Sequence, residues 1–495
     1  MIKFETDLRK LKYEVLKNVA VLAKEGRFTQ NEIDKIPYEV IKGNKPKYRC
    51  CVYHERAIVK ERAKLAAGYI ADANSIEYVH SQDKNDEIIY VIEAACDTCP
   101  INKYTITEVC RGCIQHKCME VCPANAITRI NGKAYINQDL CRECGLCKKA
   151  CPYNAVSEVM RPCKTVCPTG AIQIHYEDRR AIINRENCIN CGACVEACPF
   201  GAISDKSYIV PVIKGLDSDK KLYAVIAPSI TGQFGEEVSV GQVKNALKNI
   251  GFEDVVEAAL GADAVTIHEA MEFVERMEKG ETYMTNSCCP GFVAYIETQF
   301  PDEVDKISNT VSPMVATGKL IKSKDKNAVV VFIGPCTAKK SEMVREEVNG
   351  IIDYVLTFEE IAAIMGAYEV DLEKCEDEII EDASAFGRGF AQGGGLSAAI
   401  ENVIKDKKLN VEFKPVKISG KENLKRYMLL AKNGKLPGNF IEGMLCEGGC
   451  IGGPVAVCYK NKTKQSLNKF TKESKKQSII ENDKLEEFKE INLEK

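Results

Sequence analysis

The chemistry-bearing residues of this chain are its cysteines. Cys446 and Cys450 stand in the stretch Glu442-Gly-Met-Leu-Cys446-Glu-Gly-Gly-Cys450-Ile-Gly-Gly-Pro454, where glycines let the backbone pack closely around a bound group. Two thiolates at that spacing can hold an iron–sulfur cluster. Two further stretches have the same character, Asn286-Ser-Cys-Cys289-Pro-Gly-Phe292 and Gly334-Pro-Cys336-Thr-Ala-Lys339-Lys-Ser-Glu342. Upstream, cysteines fall in CxxC and CxxxCP groups between Cys96 and Cys198. The chain holds 25 Cys but five His, so zinc sites of mixed ligation are poorly supplied and thiolate-held Fe–S clusters are the simpler account. In a reducing compartment such groups mean metal rather than disulfides.

The run Cys110-x2-Cys113-x4-Cys118-x3-Cys122-Pro followed by Cys141-x2-Cys144-x2-Cys147-x3-Cys151-Pro resembles a bacterial two-cluster ferredoxin. In that pattern the fourth cysteine of each run serves the other cluster. The resemblance therefore groups Cys110, Cys113, Cys118 and Cys151 in one [4Fe–4S] cluster, and Cys141, Cys144, Cys147 and Cys122 in the next. A second ferredoxin-like unit follows, with its first run shortened to Cys163-x3-Cys167-Pro before the full run Cys188-x2-Cys191-x2-Cys194-x3-Cys198-Pro. The same crossing rule groups Cys188, Cys191, Cys194 and Cys167. Cys163 and Cys198 are then two ligands short, and Cys96-x2-Cys99-Pro supplies a pair at the right spacing, giving a fourth cluster by arithmetic. Clusters in series make an electron wire.

Other elements must position these cysteines. Residues 1–95 read as a helical N-terminal region, with apolar spacing at Leu8, Leu11, Val15, Val19 and Leu22 and a second helix from about His54 to Ala71. Residues 96–210 hold the two ferredoxin-like units. Around Tyr223 the composition changes: Leu222-Tyr-Ala-Val-Ile-Ala227-Pro-Ser229 reads as a buried strand followed by a loop, and Thr282–Thr285 and Ala328–Ile333 are further apolar runs, each ending just before a cysteine motif. Helices are expected at Val243–Ile250, Ile267–Met277 and Phe358–Ala367. Strand alternating with helix predicts an α/β domain over 220–458, with ligands bound beyond the carboxyl ends of its strands. That places Cys289 and Cys336 at one crevice. Residues 459–495 read as a charged, solvated C-terminal tail, whose seven Lys between 460 and 476 could dock an acidic redox protein. A net charge of −3 favours neither nucleic acid nor a membrane surface. No run is long and apolar enough to span a bilayer, and the charged start lacks an apolar signal region, so a cytoplasmic location is expected.

The three motifs around Cys289, Cys336 and Cys446/Cys450, in that order, resemble the signature segments of the catalytic domain of [FeFe]-hydrogenases, and the likeness runs over about residues 96–458. It implies a multidomain α+β and α/β fold, ferredoxin-like domains followed by a two-lobed catalytic domain. It also implies that Cys289, Cys336, Cys446 and Cys450 bind the [4Fe–4S] part of an H-cluster, Cys450 bridging to a two-iron subsite with CO, cyanide and azadithiolate ligands. Lys339 and the segment Ala227-Pro228-Ser229 match the family's donors to that subsite, and Phe390 and Met444 look like its apolar wall. Cys288 matches the proton-donating thiol, and Glu269, Ser308 and Glu272 match the relay that follows it, with Gly261-Ala262-Asp263 as the anchor for the two glutamates. Departures stand at Asn286, Met314, Gly334 and the short end Ile451–Pro454, where many members have Thr, Gln, Met and a longer glycine-rich segment.

The expected activity is reversible reduction of protons to H2 with electrons from ferredoxin or a similar redox protein, and maturation enzymes are implied as partners. A hydrogen sensor would share the cofactor but often lacks the relay thiol, present here as Cys288. An Fe–S scaffold of the hydrogenase-like eukaryotic type would lack the two-iron subsite. Cys50, Cys51, Cys375 and Cys458 receive no role.

Overall fold

The computed structural model describes residues 4–69, 87–97, 99, 102–175 and 180–495. The C-terminal half is built on two parallel sheets. The first has four strands in the order Asp254–Glu257, Leu222–Ile226, Val329–Gly334, Tyr354–Thr357. The second has three, Met284–Thr285, Phe440–Met444 and Pro415–Ser419, again all parallel. Parallel strands must be covered on both faces, which is why they read as unbroken apolar runs such as Val329-Val-Val-Phe-Ile. Ala224, Val225, Val330, Val331, Ile333, Val355 and Leu356 are fully buried. The helices expected by periodicity are present, as Val240–Ile250, Ala258–Glu278 and Phe358–Ala367. The first and last begin with capping boxes, from Ser239 with Gln242 and from Thr357 with Glu360.

Every cysteine motif of this half sits just past the carboxyl end of a strand. Ala227–Ser229 follows Ile226, Cys336 follows Gly334, Cys288 and Cys289 follow Thr285, and Cys446 follows Met444. The two sheets thus deliver their strand ends to one crevice, the place where α/β sheets bind ligands.

The cysteine-rich part is nested rather than tandem. Ile89–Val91 pairs antiparallel with Ile203–Asp205, and inside that bracket Tyr104–Ile106 pairs with Val156–Glu158. The unit carrying Cys110 to Cys151 is therefore an insertion within the unit closed by Ile203–Asp205. This accounts for the shortened run at Cys163: the two cysteines it lacks, Cys96 and Cys99, lie before the insertion. The hairpin Ile127–Ile130/Lys133–Ile136 turns at Asn131-Gly132, both at positive φ, as a two-residue turn between twisted strands demands.

The N-terminal region is helical as read, but it is no separate body. The helix Asp7–Lys24 buries Val15, Val19 and Leu22 and packs against Phe358–Ala367 and Ile209–Leu216. The second helix runs from Val52 to Ala66, and its expected end at Ala71 lies outside the described residues.

The C-terminal segment departs from the solvated tail expected. Lys460–Lys472 is a helix whose Thr463 and Leu467 are buried, Gln233 Nε2 donating to Thr463 Oγ1 at 3.1 Å. Beyond it Ile479, Phe488 and Leu493 are buried. Asn482 Nδ2 donates to the buried Asp263 at 2.8 Å, the same carboxylate that accepts from Ser384 N and Oγ. A few apolar anchors and one buried carboxylate suffice to fold a segment of low hydrophobicity. Among the described residues no helix is long and apolar enough to cross a membrane.

Candidate functional site

The crevice between the sheets holds a cavity of about 100 Å³. Cys289, Cys336, Cys446 and Cys450 all line it, beside Cys288, Lys339, Ser229, Phe390 and Met444. Burial raises the thiol of Cys450 to about 12, with Cys289 and Cys336 adding to the shift and Lys339 opposing it. Cys446 is likewise raised by burial, then by Cys336, Cys289 and Cys450. The Cys336 thiol is raised too, to about 11, by burial and then by Cys289, and a cationic metal centre is what would replace the protons of such thiols. Gly449 allows the approach: its φ is +92°, and a Cβ there would stand 2.7 Å from Gly393 N and 2.9 Å from Ala391 O. The loop it meets is held by Glu442, which accepts from Gly394 N at 2.6 Å and Ser397 N at 2.9 Å.

The rest of the lining fits a compact anionic group. The Ser229 hydroxyl is fully buried without a hydrogen-bond partner, an orphaned donor beside the cavity. Lys339 Nζ bonds Glu342 at 2.6 Å and reaches the Cys288 carbonyl at 3.4 Å. Burial by itself would lower the Lys339 pKa; Glu342, Cys336 and Cys288 outweigh it and raise it, so the ammonium stays charged. Glu342, the last residue of the second motif, had no role assigned from sequence. The departures at 314 and 334 are also accounted for. Met314 lines the cavity, and the Phe332 ring occupies the space a side chain at Gly334 would need, 2.6 Å from its Cβ position. The wall is rebuilt in hydrocarbon rather than lost.

On the far side of Cys288 runs a chain of titratable groups. Asn286 Nδ2 donates to Cys288 Sγ at 3.2 Å while its own carbonyl accepts from Gly443 N at 2.7 Å, fixing the thiol. Cys288 is pushed well up, by burial first and then by the charges of Glu269 and Cys289. Glu269 is 1% exposed and its Oε1 has no partner. Burial and then the Glu272 charge raise Glu269 to about 8, against hydrogen bonds from Ser308 and the Ser287 backbone that lower it. Ser308 Oγ in turn donates to Glu272 Oε2 at 2.6 Å. Glu272, its side chain 11% exposed, pairs with Arg276 at 2.7 Å. Arg276 and Thr310, which also bonds Glu272, were not singled out by sequence; a basic residue at i+4 from Glu272 on one helix was the available signal.

The raised Glu269 makes a stability prediction. A carboxyl whose folded pKa lies above its unfolded value of about 4.5 contributes stability below pH 4.5 that is lost as pH climbs towards 8. Glu269→Gln removes this penalty. Its unfolding midpoint in denaturant is expected to match wild type near pH 4.5 and to exceed it at pH 8, by an amount on the order of a few kcal/mol. Equal stability of the two proteins at both pH values would count against the buried, strained carboxyl.

The upstream thiols gather in four groups. Cys122, Cys141, Cys144 and Cys147 line one small pocket. The Cys118 thiol is raised by burial and then by Cys151, Cys113 and Cys110. Cys194 is raised by burial and then by Cys191, Cys188, Cys167 and Cys163. Cys163 is pushed up to about 11 by burial, then by Cys198, Cys96 and Cys99. The third group abuts the cavity: Cys191 feels Cys336, Thr337 Oγ1 donates to Asn190 O at 2.7 Å, and a Cβ on Gly192 would meet Thr337 and Pro454.

Residues 220–454 match the family model described as iron only hydrogenase large subunit, C-terminal domain, residues 157–209 the LdpA Fe-S cluster-binding domain, and residues 134–157 a 4Fe-4S binding domain. The chain is 30% identical over 301 residues to the periplasmic [Fe] hydrogenase large subunit of Nitratidesulfovibrio vulgaris, covering 50% of this chain and 72% of that one. It is 30% identical over 369 residues to iron hydrogenase 1 of Clostridium pasteurianum, covering 64% of each chain, so it spans less than two thirds of that relative. Over 163 residues it is 31% identical to the cytosolic Fe-S cluster assembly factor NAR1 of Eremothecium gossypii, covering 31% of this chain and 36% of that protein. A solved [FeFe]-hydrogenase superposes with a TM-score of 0.50 at 19% identity, over 57% of this chain and 94% of the other.

Proposed function

The chain belongs to the iron-only hydrogenase family, and from that premise we propose that it is a working hydrogenase, interconverting two protons and two electrons with H2. The observation that carries the reading is the convergence of two things on one cavity, four thiols on one side and the line Cys288, Glu269, Ser308, Glu272 on the other.

In this reading Cys289, Cys336, Cys446 and Cys450 hold the [4Fe–4S] part of an H-cluster, and Ser229 and Lys339 face its two-iron part. When bound, that cofactor supplies the redox chemistry and the site at which hydrogen is made or split. The protein's work is positional. Phe390, Met444, Met314 and Phe332 keep water out, and Glu342 keeps Lys339 charged and in place. Cys288 gives up or takes a proton at its sulfur, Glu269 exchanges it, Ser308 passes it through its hydroxyl, and Glu272 meets the exterior. A carboxyl poised near 8 suits a group that must both accept and release protons near neutrality. The four upstream groups of thiols would hold four [4Fe–4S] clusters, which would supply electron transfer from ferredoxin or a similar redox protein. The group of Cys167, Cys188, Cys191 and Cys194 stands next to the cavity. Maturation enzymes would install the two-iron part.

The test is anaerobic hydrogen evolution from reduced viologen by the full chain, reconstituted with iron, sulfide and a synthetic two-iron cofactor. Sustained evolution is expected. The similarity to an Fe–S assembly factor favours a second reading, a scaffold without the two-iron subsite, and failure to take up the two-iron cofactor would adopt it. Uptake without turnover would point to a sensor. The fourth upstream cluster has its own check: Cys96→Ala is expected to lose one cluster's iron, and an unchanged iron content would remove that cluster from the wire.

A further inference from the structure

The proposed proton line ends at Glu272, and the two oxygens of that carboxylate are not equivalent. Oε1 accepts from Arg276 Nη2 at 2.7 Å and from Asn309 N at 2.9 Å. Neither donor can relay a proton: a guanidinium is not deprotonated in a protein, and a backbone amide does not titrate. Oε2 accepts instead from two hydroxyls, Ser308 Oγ at 2.6 Å and Thr310 Oγ1 at 3.0 Å. Ser308 leads inward to Glu269. Thr310 leads outward, because its Oγ1 lies 2.9 Å from Nδ1 of His268, whose side chain is 32% exposed. The outer nitrogen, Nε2, faces Glu494 Oε1 at 3.8 Å.

We propose that Thr310 and His268 form the outlet of the proton line, with His268 exchanging protons with solvent. The inference rests on the hydrogenase reading and adds its outer end. The step balances as follows. A buffer acid protonates His268 at Nε2; Nδ1–H passes its proton to Thr310 Oγ1 as the Thr310 hydroxyl passes its own to Glu272 Oε2. One proton has moved inward and the imidazole is left neutral with the proton on Nε2. Exchange with solvent restores the starting tautomer. An imidazole can take up a proton at one ring nitrogen while giving one up from the other. Arg276 is then a positioning residue, fixing the orientation of the carboxylate so that Oε2 faces both hydroxyls. The backbone of this stretch is held from outside by the C-terminal segment, Val311 N donating to Leu493 O at 2.8 Å and Lys495 N to Asn309 O at 3.0 Å.

The test uses the full chain carrying its clusters and cofactor, with reduced viologen in a buffer too large to enter the site. His268→Ala is expected to evolve hydrogen about tenfold more slowly, a smaller loss than that of a group transferring protons at the reacting centre. Free imidazole, small enough to occupy the vacated space, restores most of the rate. His268→Gln, which can still donate to Thr310 but does not titrate, is expected to be equally slow and not to be rescued. Thr310→Val is slow and insensitive to imidazole. An active wild type with His268→Ala unimpaired would overturn the outlet and leave the hydrogenase reading standing. A slow His268→Ala that imidazole does not restore would also overturn it, by assigning His268 a structural role. A silent wild type overturns both.

Discussion

Cys288→Ala is expected to cut hydrogen evolution by about 10²- to 10⁴-fold, the range for removing a positioned proton donor, while iron content and cofactor uptake stay at wild-type levels. The separation follows from where the thiol stands. Cys288 lines the cavity beside the four cysteines assigned to the cluster, yet its side chain is oriented by Asn286 Nδ2 and its charge is opposed by Glu269. Removing the sulfur leaves the four assigned ligands and the Lys339–Glu342 pair in place and takes away the thiol that is electrostatically coupled to Glu269. Cys288→Ser restores volume but offers a hydroxyl far less acidic than a thiol, so it is expected to recover little. Evolution by Cys288→Ala within twofold of wild type would remove the line from Cys288 to Glu272 from the mechanism.

Cys450→Ala is expected to abolish evolution and two-iron cofactor uptake together, with loss of iron from the cavity cluster. The four thiols line one cavity, and the Cys450 thiol is raised to about 12 by burial and by Cys289 and Cys336. Their proximity is worthwhile only with a metal centre to take their charge, and three remaining thiolates leave one iron unprotected. Cys375→Ala is the matched control. That thiol donates to the Asp371 carbonyl, away from both the cavity and the upstream groups, and its variant should keep full iron and full rate. The contrast separates loss of a ligand from loss of any cysteine.

Much of this site was legible because its chemistry is local in sequence. A thiolate run is defined by spacing, and apolar strands that end just before a cysteine announce where the sheet delivers it. The nesting of the cysteine-rich units was not legible, since it rests on Ile89–Val91 pairing with Ile203–Asp205 across an intervening unit. The arithmetic that sent Cys96 and Cys99 to Cys163 and Cys198 pointed to the same neighbourhood without its cause. The C-terminal segment was misread because its lysines dominate its composition, while the groups that fold it are few: Thr463, Leu467, Ile479, Asn482, Phe488 and Leu493. Asn482 meets Asp263, and nothing local in either stretch signals the pair. What fills the space beside Gly334 was not legible, because the ring comes from Phe332, two residues back on the same strand, and its rotamer is a tertiary fact. His268 and Thr310 were passed over for a similar reason: they converge on Glu272 only when the helix Ala258–Glu278 lies against the segment 308–311.

The most direct measurement is isotope exchange. The reconstituted full chain, held without oxygen and without any external electron donor in ordinary water, would be supplied with D2 while the dissolved gas is followed by mass spectrometry. Splitting D2 at the cavity and exchanging deuterons along Cys288, Glu269, Ser308 and Glu272 produces HD and then H2, with no demand on the upstream clusters. The account predicts steady HD formation, suppressed in Cys288→Ala. A chain that binds the two-iron cofactor and yet leaves D2 unchanged would contradict it.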